Sequence, residues 1–174
     1  MKALLDTNII IHREANRIVN QDIGILFKWL DKAKYTKCIH PLTIDEIQKN
    51  PNQGTVSTFN IKLDSYEILK TIAPKNDEIE RIAKEFDANE NDIIDTKLLN
   101  EVYSGRVDIL ITEDKKIHLK AEKLGISDKV FNIGSFLEKI VSENPSLVNY
   151  KVLRACLKIS HHHSNGSHEY PSLA

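Results

Sequence analysis

Residues 108–125 read DILITEDKKIHLKAEKLG. The apolar run within Asp108–Thr112 predicts a short buried strand, and it stops at two acids, Glu113 and Asp114. Beyond them Ile117, Ala121 and Leu124 recur at helical spacing until Gly125 ends the helix. Strand, acid and helix in that order make the unit of a parallel α/β sheet. Ligands of open α/β sheets bind at the carboxyl ends of the strands, so an acid placed there invites a chemical reading.

The amino terminus repeats the arrangement. In KALLDTNIIIH, residues 2–12, a strand over 2–5 is followed at once by Asp6. A helical pattern then covers 15–33, with Ile18, Ile25, Leu26, Trp29 and Leu30 on one side, and Cys38–Ile39 suggests a second strand closed by Pro41. A short helix holding Ile44 and Ile47 stops at Asn50-Pro51, because the residue before proline is pushed out of helical geometry. Residues 50–55 read as a polar loop, and 56–73 as mostly helical with strand character at Tyr66–Ile72. Pro74 breaks the chain, Asn76 or Asp77 can cap a helix carrying Ile79, Ile82, Ala83 and Phe86, and a further helix is expected over 91–103. The last strand is expected at 130–133, and Phe136–Val141 lies on a closing helix. This alternation predicts one α/β domain over residues 1–144 with a parallel sheet. Residues 145–174 form a C-terminal extension whose last 15 residues, SHHHSNGSHEYPSLA, are expected to be disordered. Its run of histidines reads as a loose tail or a tag rather than a metal site.

The 174-residue length suits a single domain, which buries roughly 70% of its extended surface. Cys38 and Cys156 are far apart and outside any metal-ligand spacing, so they read as reduced thiols, and a cytoplasmic location is expected. The first apolar run is too short for a signal peptide, and no stretch approaches a membrane span, so no membrane is expected. A net charge of -1 argues against a general polyanion binder. Charge is uneven, however: Lys28, Lys32, Lys34 and Lys37 form one basic stretch, and Lys115, Lys116, Lys120 and Lys123 another, directly after Asp114. Lysines at this spacing read first as a solvated helix face. Beside an acidic cluster they would also suit phosphates approaching a cation.

The acids carry the chemistry. On the 91–103 helix, Ile94, Leu98, Leu99 and Val102 form an inward stripe, and Asp95 falls near its middle. An unpaired buried carboxylate is expensive, so Asp95 reads either as a salt-bridge partner or as a ligand aimed into a cleft. Asp92, one turn earlier, is a second candidate ligand or a first-turn acid favoured by the helix dipole. Asp6 can be the plain cap of a helix begun by Asn8–Ile11, and Asp114 the cap of the lysine-rich helix. Composition does not choose between Asp45 and Glu46, nor between Glu113 and Asp114. Asn8 and Thr112 are short polar groups able to orient neighbouring carboxylates. His12, His40 and His118 are scattered and read as surface or packing residues. Two carboxylates ~4 Å apart repel by about 4 kcal/mol at an effective dielectric near 20, so a cluster persists when a cation neutralises it. No Gly-rich phosphate loop, zinc spacing or nucleophile elbow is present, which favours water activated by a metal over a protein nucleophile.

The ordered set LLDTN, TIDEI, NDIIDTKLL and LITEDKKI resembles the PIN domain family over residues 1 to about 141. By position, that resemblance makes Asp6, Glu46, Asp95 and Asp114 the acidic quartet, with Asp92 an extra acid. It implies a three-layer α/β/α sandwich with a central parallel sheet. It also implies a Mg2+- or Mn2+-dependent ribonuclease. Asp6, Asp95 and Asp114 would hold one or two ions, Glu46 would orient the attacking water, and Lys115, Lys116 and Lys120 would lead RNA to the cleft. Many small members are toxins, so the expected partners are an RNA substrate, an antitoxin protein and a second copy of the chain in a homodimer. The long stretch between Glu46 and Asp92 and the tail after Ser142 differ from the most compact toxins. A dormant binding module of the same fold is the first alternative. A phosphoacceptor regulatory domain is the second, and it would want its acceptor aspartate on a strand rather than on the Asp95 helix.

Overall fold

The computed structural model describes residues 1–14 and 21–145. The chain divides into two compact units, Met1–Glu138 and Lys139–Ala174; every candidate site residue belongs to the first. The expected extension over 145–174, with its histidines, lies outside the described residues but for Pro145.

The described elements are β1 (Lys2–Leu5), α1 (Thr7–Glu14), α2 (Gln21–Lys32), β2 (Thr36–Ile39), α3 (Pro41–Gln48), α4 (Gln53–Lys62), β3 (Glu67–Ile68), α5 (Asp77–Phe86), α6 (Glu90–Tyr103), β4 (Ile109–Ile111), α7 (Lys115–Lys123), β5 (Val130–Phe131) and α8 (Ile133–Glu143). All five strands are parallel, in the order β3-β2-β1-β4-β5. The fold is therefore α/β, with β1 central. Leu5 stands opposite Ile111, so the chain leaves β1 and β4 side by side at the carboxyl edge.

Several elements differ from expectation for local reasons. The helix expected from Asn8 in the cap reading of Asp6 starts one residue earlier, at Thr7, because the Asp6 carbonyl takes the amides of Ile9 and Ile10 at 3.0 and 3.3 Å. The helix expected over 15–33 is described from Gln21 on, and residues 15–20 lie outside the described residues. α4 begins at Gln53 rather than 56, since the Asn52 side chain caps it by accepting from Gly54 and Thr55 at 3.0 and 3.2 Å. The helical reading of 56–73 holds to Lys62; a short turn then leads into the two-residue edge strand β3, within the stretch Tyr66–Ile72 that showed strand character. Gly105 and Gly125, both at φ 68°, stop α6 and α7 in the left-handed region that suits glycine.

Both faces of the sheet are covered. Leu4, Cys38, Leu110 and Val130 share one core with Leu98, Leu99 and Val102 of α6 and Ile117 and Ala121 of α7. Ala3 and Leu5 alternate to the opposite side and are also fully buried.

Candidate active site

Asp6 leaves the end of β1 only 4% exposed. Its amide continues the sheet to the Ile111 carbonyl at 3.1 Å, and its Oδ2 accepts the Thr112 hydroxyl at 2.8 Å. The same Thr112 oxygen accepts the Asp114 amide at 3.0 Å, so one fully buried threonine ties two acids together. Asp114 caps α7 through Oδ1, which takes the amides of Lys116 and Ile117 at 2.6 and 3.3 Å. The helix-cap reading of Asp114 is thus real, and it leaves Oδ2 without a hydrogen bond among the described residues.

The two pairwise ambiguities divide cleanly by geometry. Glu46 is half-buried and accepts a short hydrogen bond from the Thr7 hydroxyl, whereas Asp45 is exposed. Thr7 also lies 3.3 Å from the buried Thr43 hydroxyl, so α1 and α3 hold Glu46 next to Asp6. Glu113 turns away from the other acids, where it accepts the Ile133 amide at 2.8 Å at the start of α8. Asn8 is exposed, and no hydrogen bond joins it to the carboxylates among the described residues.

Asp95 is half-buried, and among the described residues no hydrogen bond or ion pair reaches its carboxylate. Burial first, then the facing Asp6 and Asp114 carboxylates, push its pKa up to about 7, while Lys120 pulls the other way. Burial also raises Asp6, with Glu46 and Asp114 adding to it and hydrogen bonds from Thr112 and Thr7 opposing. Asp6, Asp95 and Asp114 therefore repel one another across one edge of the sheet, and Glu46 adds its repulsion to Asp6. They are not closely gathered, however: among the described residues, no three carboxylate, imidazole or thiol groups stand close enough to hold one ion.

Asp92 is only 2% exposed, and its carboxylate is already engaged. It accepts the Ala88 amide at 3.0 Å, the Asn89 amide group at 2.9 Å and the Lys116 ammonium at 2.8 Å, while Asn89 caps its own amide at 3.1 Å. The Lys116 hydrogen bond holds its carboxyl below the usual range. The expectation of a first-turn acid describes Asp92 better than that of a ligand.

The lysines separate as well. Lys115 is exposed, and Lys116 is exposed while paired to Asp92. Lys120 is fully buried, with its ammonium donating to Asp87 Oδ1 at 2.7 Å, the Asp92 carbonyl at 2.8 Å and Thr96 Oγ1 at 3.0 Å. A lysine with all three donors taken inside the protein does not greet a phosphate, and Lys120 leaves the phosphate-guiding set. Its place was legible: it falls on the stripe of Ile117, Ala121 and Leu124 at helical spacing. Thr7, by contrast, carried no sequence signal beyond following Asp6.

His40 also sits at this edge, fully buried after β2. Its Nδ1 accepts the Leu42 amide at 3.1 Å and caps α3, with Pro41 in the first helical turn. Burial, aided by Lys97 and Arg106, lowers its pKa to about 4, so it stands neutral and acts as a cap. His118 donates toward the Thr112 carbonyl at 3.1 Å, behind the threonine that joins Asp6 to Asp114.

Comparison with protein-family models, with curated proteins and with solved structures found no match for this chain. No described helix is long and apolar enough to cross a membrane.

Proposed function

We propose that this chain is a divalent-metal-dependent ribonuclease with a PIN-like three-layer α/β/α fold, working at the carboxyl edge of β1 and β4. One observation carries the reading. Asp6 and Asp114 share the Thr112 hydroxyl, and Asp95 faces both without a cationic partner of its own. Left alone, that arrangement is electrostatically unfavourable, and a cation would relieve it.

The donor set fits Mg2+ or Mn2+, because every group is a carboxylate oxygen. The wide spacing fits as well. Mg2+ commonly keeps several waters and is held by one or two carboxylates together with substrate phosphate. One or two of Asp6, Asp95 and Asp114 would hold the cation directly, and the rest would reach it through its waters. When bound, it would supply Lewis acidity, lowering the pKa of water and offsetting charge on the phosphate. Glu46, fixed by Thr7, would orient that water and take its proton. Thr112 holds Asp6 and Asp114 together and would keep them in register when a cation binds. Lys115, exposed at the start of α7, offers the RNA backbone a positive charge beside the cleft, and Lys116 does so while holding Asp92. The family resemblance adds an antitoxin protein as the expected partner.

The test is cleavage of mixed-sequence RNA with Mg2+, Mn2+ or chelator, comparing wild type with Asp95→Asn. Cleavage should need the metal and drop by about a hundredfold or more in the variant, as for loss of a group acting in the transition state. Activity that survives both chelation and substitution removes the proposal. The wide spacing of the acids also favours a second reading, a dormant RNA-binding or protein-interaction module of the same fold. In the RNA-binding case, wild type would retain RNA in a binding assay and cut nothing with either metal.

A further inference from the structure

We infer that Lys120 is a positioning residue whose buried ammonium clamps the first turn of α6 onto α7, setting the gap between Asp95 and Asp114. The inference deepens the reading that these acids take a cation, and rests on it.

The geometry is specific. α6 carries Asp95, and α7 is capped by Asp114. The two carboxylates repel, which tends to splay the helix ends that bear them. From within α7, Lys120 reaches across and donates to the Asp92 carbonyl at 2.8 Å and to Thr96 Oγ1 at 3.0 Å. These contacts bracket Asp95 on its own helix, one on either side of it in the chain. The third donor goes to Asp87 Oδ1 at 2.7 Å, and that oxygen also accepts the Thr96 hydroxyl at 2.7 Å. Ammonium, carboxylate and hydroxyl thus close a small ring that joins the segment after α5, the start of α6 and the body of α7. An ammonium has three donors, and all are spent here. Burying a lysine this completely is unfavourable unless its partners are well placed, so the contact is selective for one arrangement of the helices.

A lysine here could act in a simpler way, as a plain counter-charge that dilutes the acidic field. The two roles predict opposite signs. Removing a bare positive charge leaves the cluster more negative and tightens its hold on a divalent cation. Removing a clamp lets the acids drift apart and weakens that hold. Thr96→Val removes one leg of the clamp with no change in charge, and so isolates the geometric part.

The experiment titrates Mn2+ calorimetrically into wild type, Lys120→Met and Thr96→Val, and follows amide hydrogen exchange in the metal-free proteins. Mn2+ affinity should fall by about tenfold or more in Lys120→Met and by a smaller factor in Thr96→Val, the scale of supporting groups around a metal site. Exchange over residues 89–97 and 114–118 should quicken in both variants, while β1 and β4 stay protected. Unchanged or tighter Mn2+ binding in Lys120→Met overturns the clamp, as does exchange equal to wild type in the metal-free variants. A wild type that takes no Mn2+ sinks the ribonuclease proposal; positioning of a cation site falls with it, and the exchange arm still decides whether the helices are clamped. If Lys120→Met does not fold, Thr96→Val decides: looser exchange with weaker binding supports the clamp, and neither change refutes it.

Discussion

Glu101 and Asp95 lie less than two turns apart on α6, and they are treated oppositely. Glu101 is fully buried and held by partners: the Arg106 guanidinium at 2.8 Å and the Ala73 amide at 2.6 Å, with the neutral His40 ring beside them. The Arg106 Nε–H is not aimed at the carboxylate oxygen, so that contact is an ion pair rather than a hydrogen bond. Glu14, at the end of α1, is likewise held by the Lys62 ammonium and the Tyr66 hydroxyl, both at 2.7 Å. Asp95 has no such company: among the described residues no cation pairs with it, and the repulsion of Asp6 and Asp114 outweighs the pull of Lys120. Acids that hold the fold together bring their counter-charges with them. On the proposed reading, acids that bring none are arranged for a charge that comes from outside.

The largest effect should come from breaking the partnered side. Glu101→Ala strands Arg106 and the Ala73 amide, and should cost about 3 kcal/mol, the low end for a buried ion pair given the misaligned N–H. Thermal unfolding should show Tm lower by about 6–12 °C. A loss below about 1 kcal/mol would mean that Glu101 is no better served than Asp95.

The unpartnered side should respond with the opposite sign. Asp95→Asn removes a repelled charge, so the metal-free protein at pH 8 should gain about 1–2 kcal/mol after allowance for solvent screening. Its Tm should rise by about 2–8 °C while cleavage is lost, an exchange of function for stability. A destabilised Asp95→Asn would mark Asp95 as a structural residue.

A third comparison uses pH. Asp95 has a folded pKa of about 7 against an ordinary 3.8, so the folded state keeps the proton longer and stability falls as pH rises through that window. His40 has a folded pKa of about 4 against an ordinary 6.5, so the folded state refuses the proton and stability rises over pH 4 to 6.5. The two slopes oppose each other where they overlap. Urea midpoints across this range should rise more steeply in Asp95→Asn than in wild type. They should fall with pH in His40→Asn, whose amide oxygen can still cap α3. Equal slopes in all three proteins would mean that neither group is perturbed.

The smallest effect belongs to the surface. Lys115→Ala should leave stability within about 0.5 kcal/mol and lower the salt slope of RNA binding by about 1. An unchanged slope would take Lys115 away from the RNA path.

Much of this was legible in the sequence. The strand-acid-helix pattern at 2–12 and 108–125 predicted β1, β4 and α7, because apolar runs closed by an acid and a helical stripe leave few alternatives. Asp95 stood out for the same reason. The boundary errors came where capping overrode propensity, at Asn52 and at the Asp6 carbonyl. Lys120 misled, since charge counting reads a lysine as solvated unless its place on the apolar stripe is given equal weight; Lys115, Lys116 and Lys123 are exposed as that reading expects. The partners of Glu46 and Glu101 were not legible, because Thr7, Ala73 and Arg106 meet them only through the fold.

The central claim is that the carboxylates at the β1–β4 edge await a cation, and thermal unfolding with and without Mg2+ tests it most directly. At about ten times its Kd, Mg2+ should stabilise wild type by about 1.4 kcal/mol, a rise of about 3–6 °C, and should do much less for Asp95→Asn. A wild-type Tm indifferent to Mg2+, or an equal rise in both proteins, would contradict it.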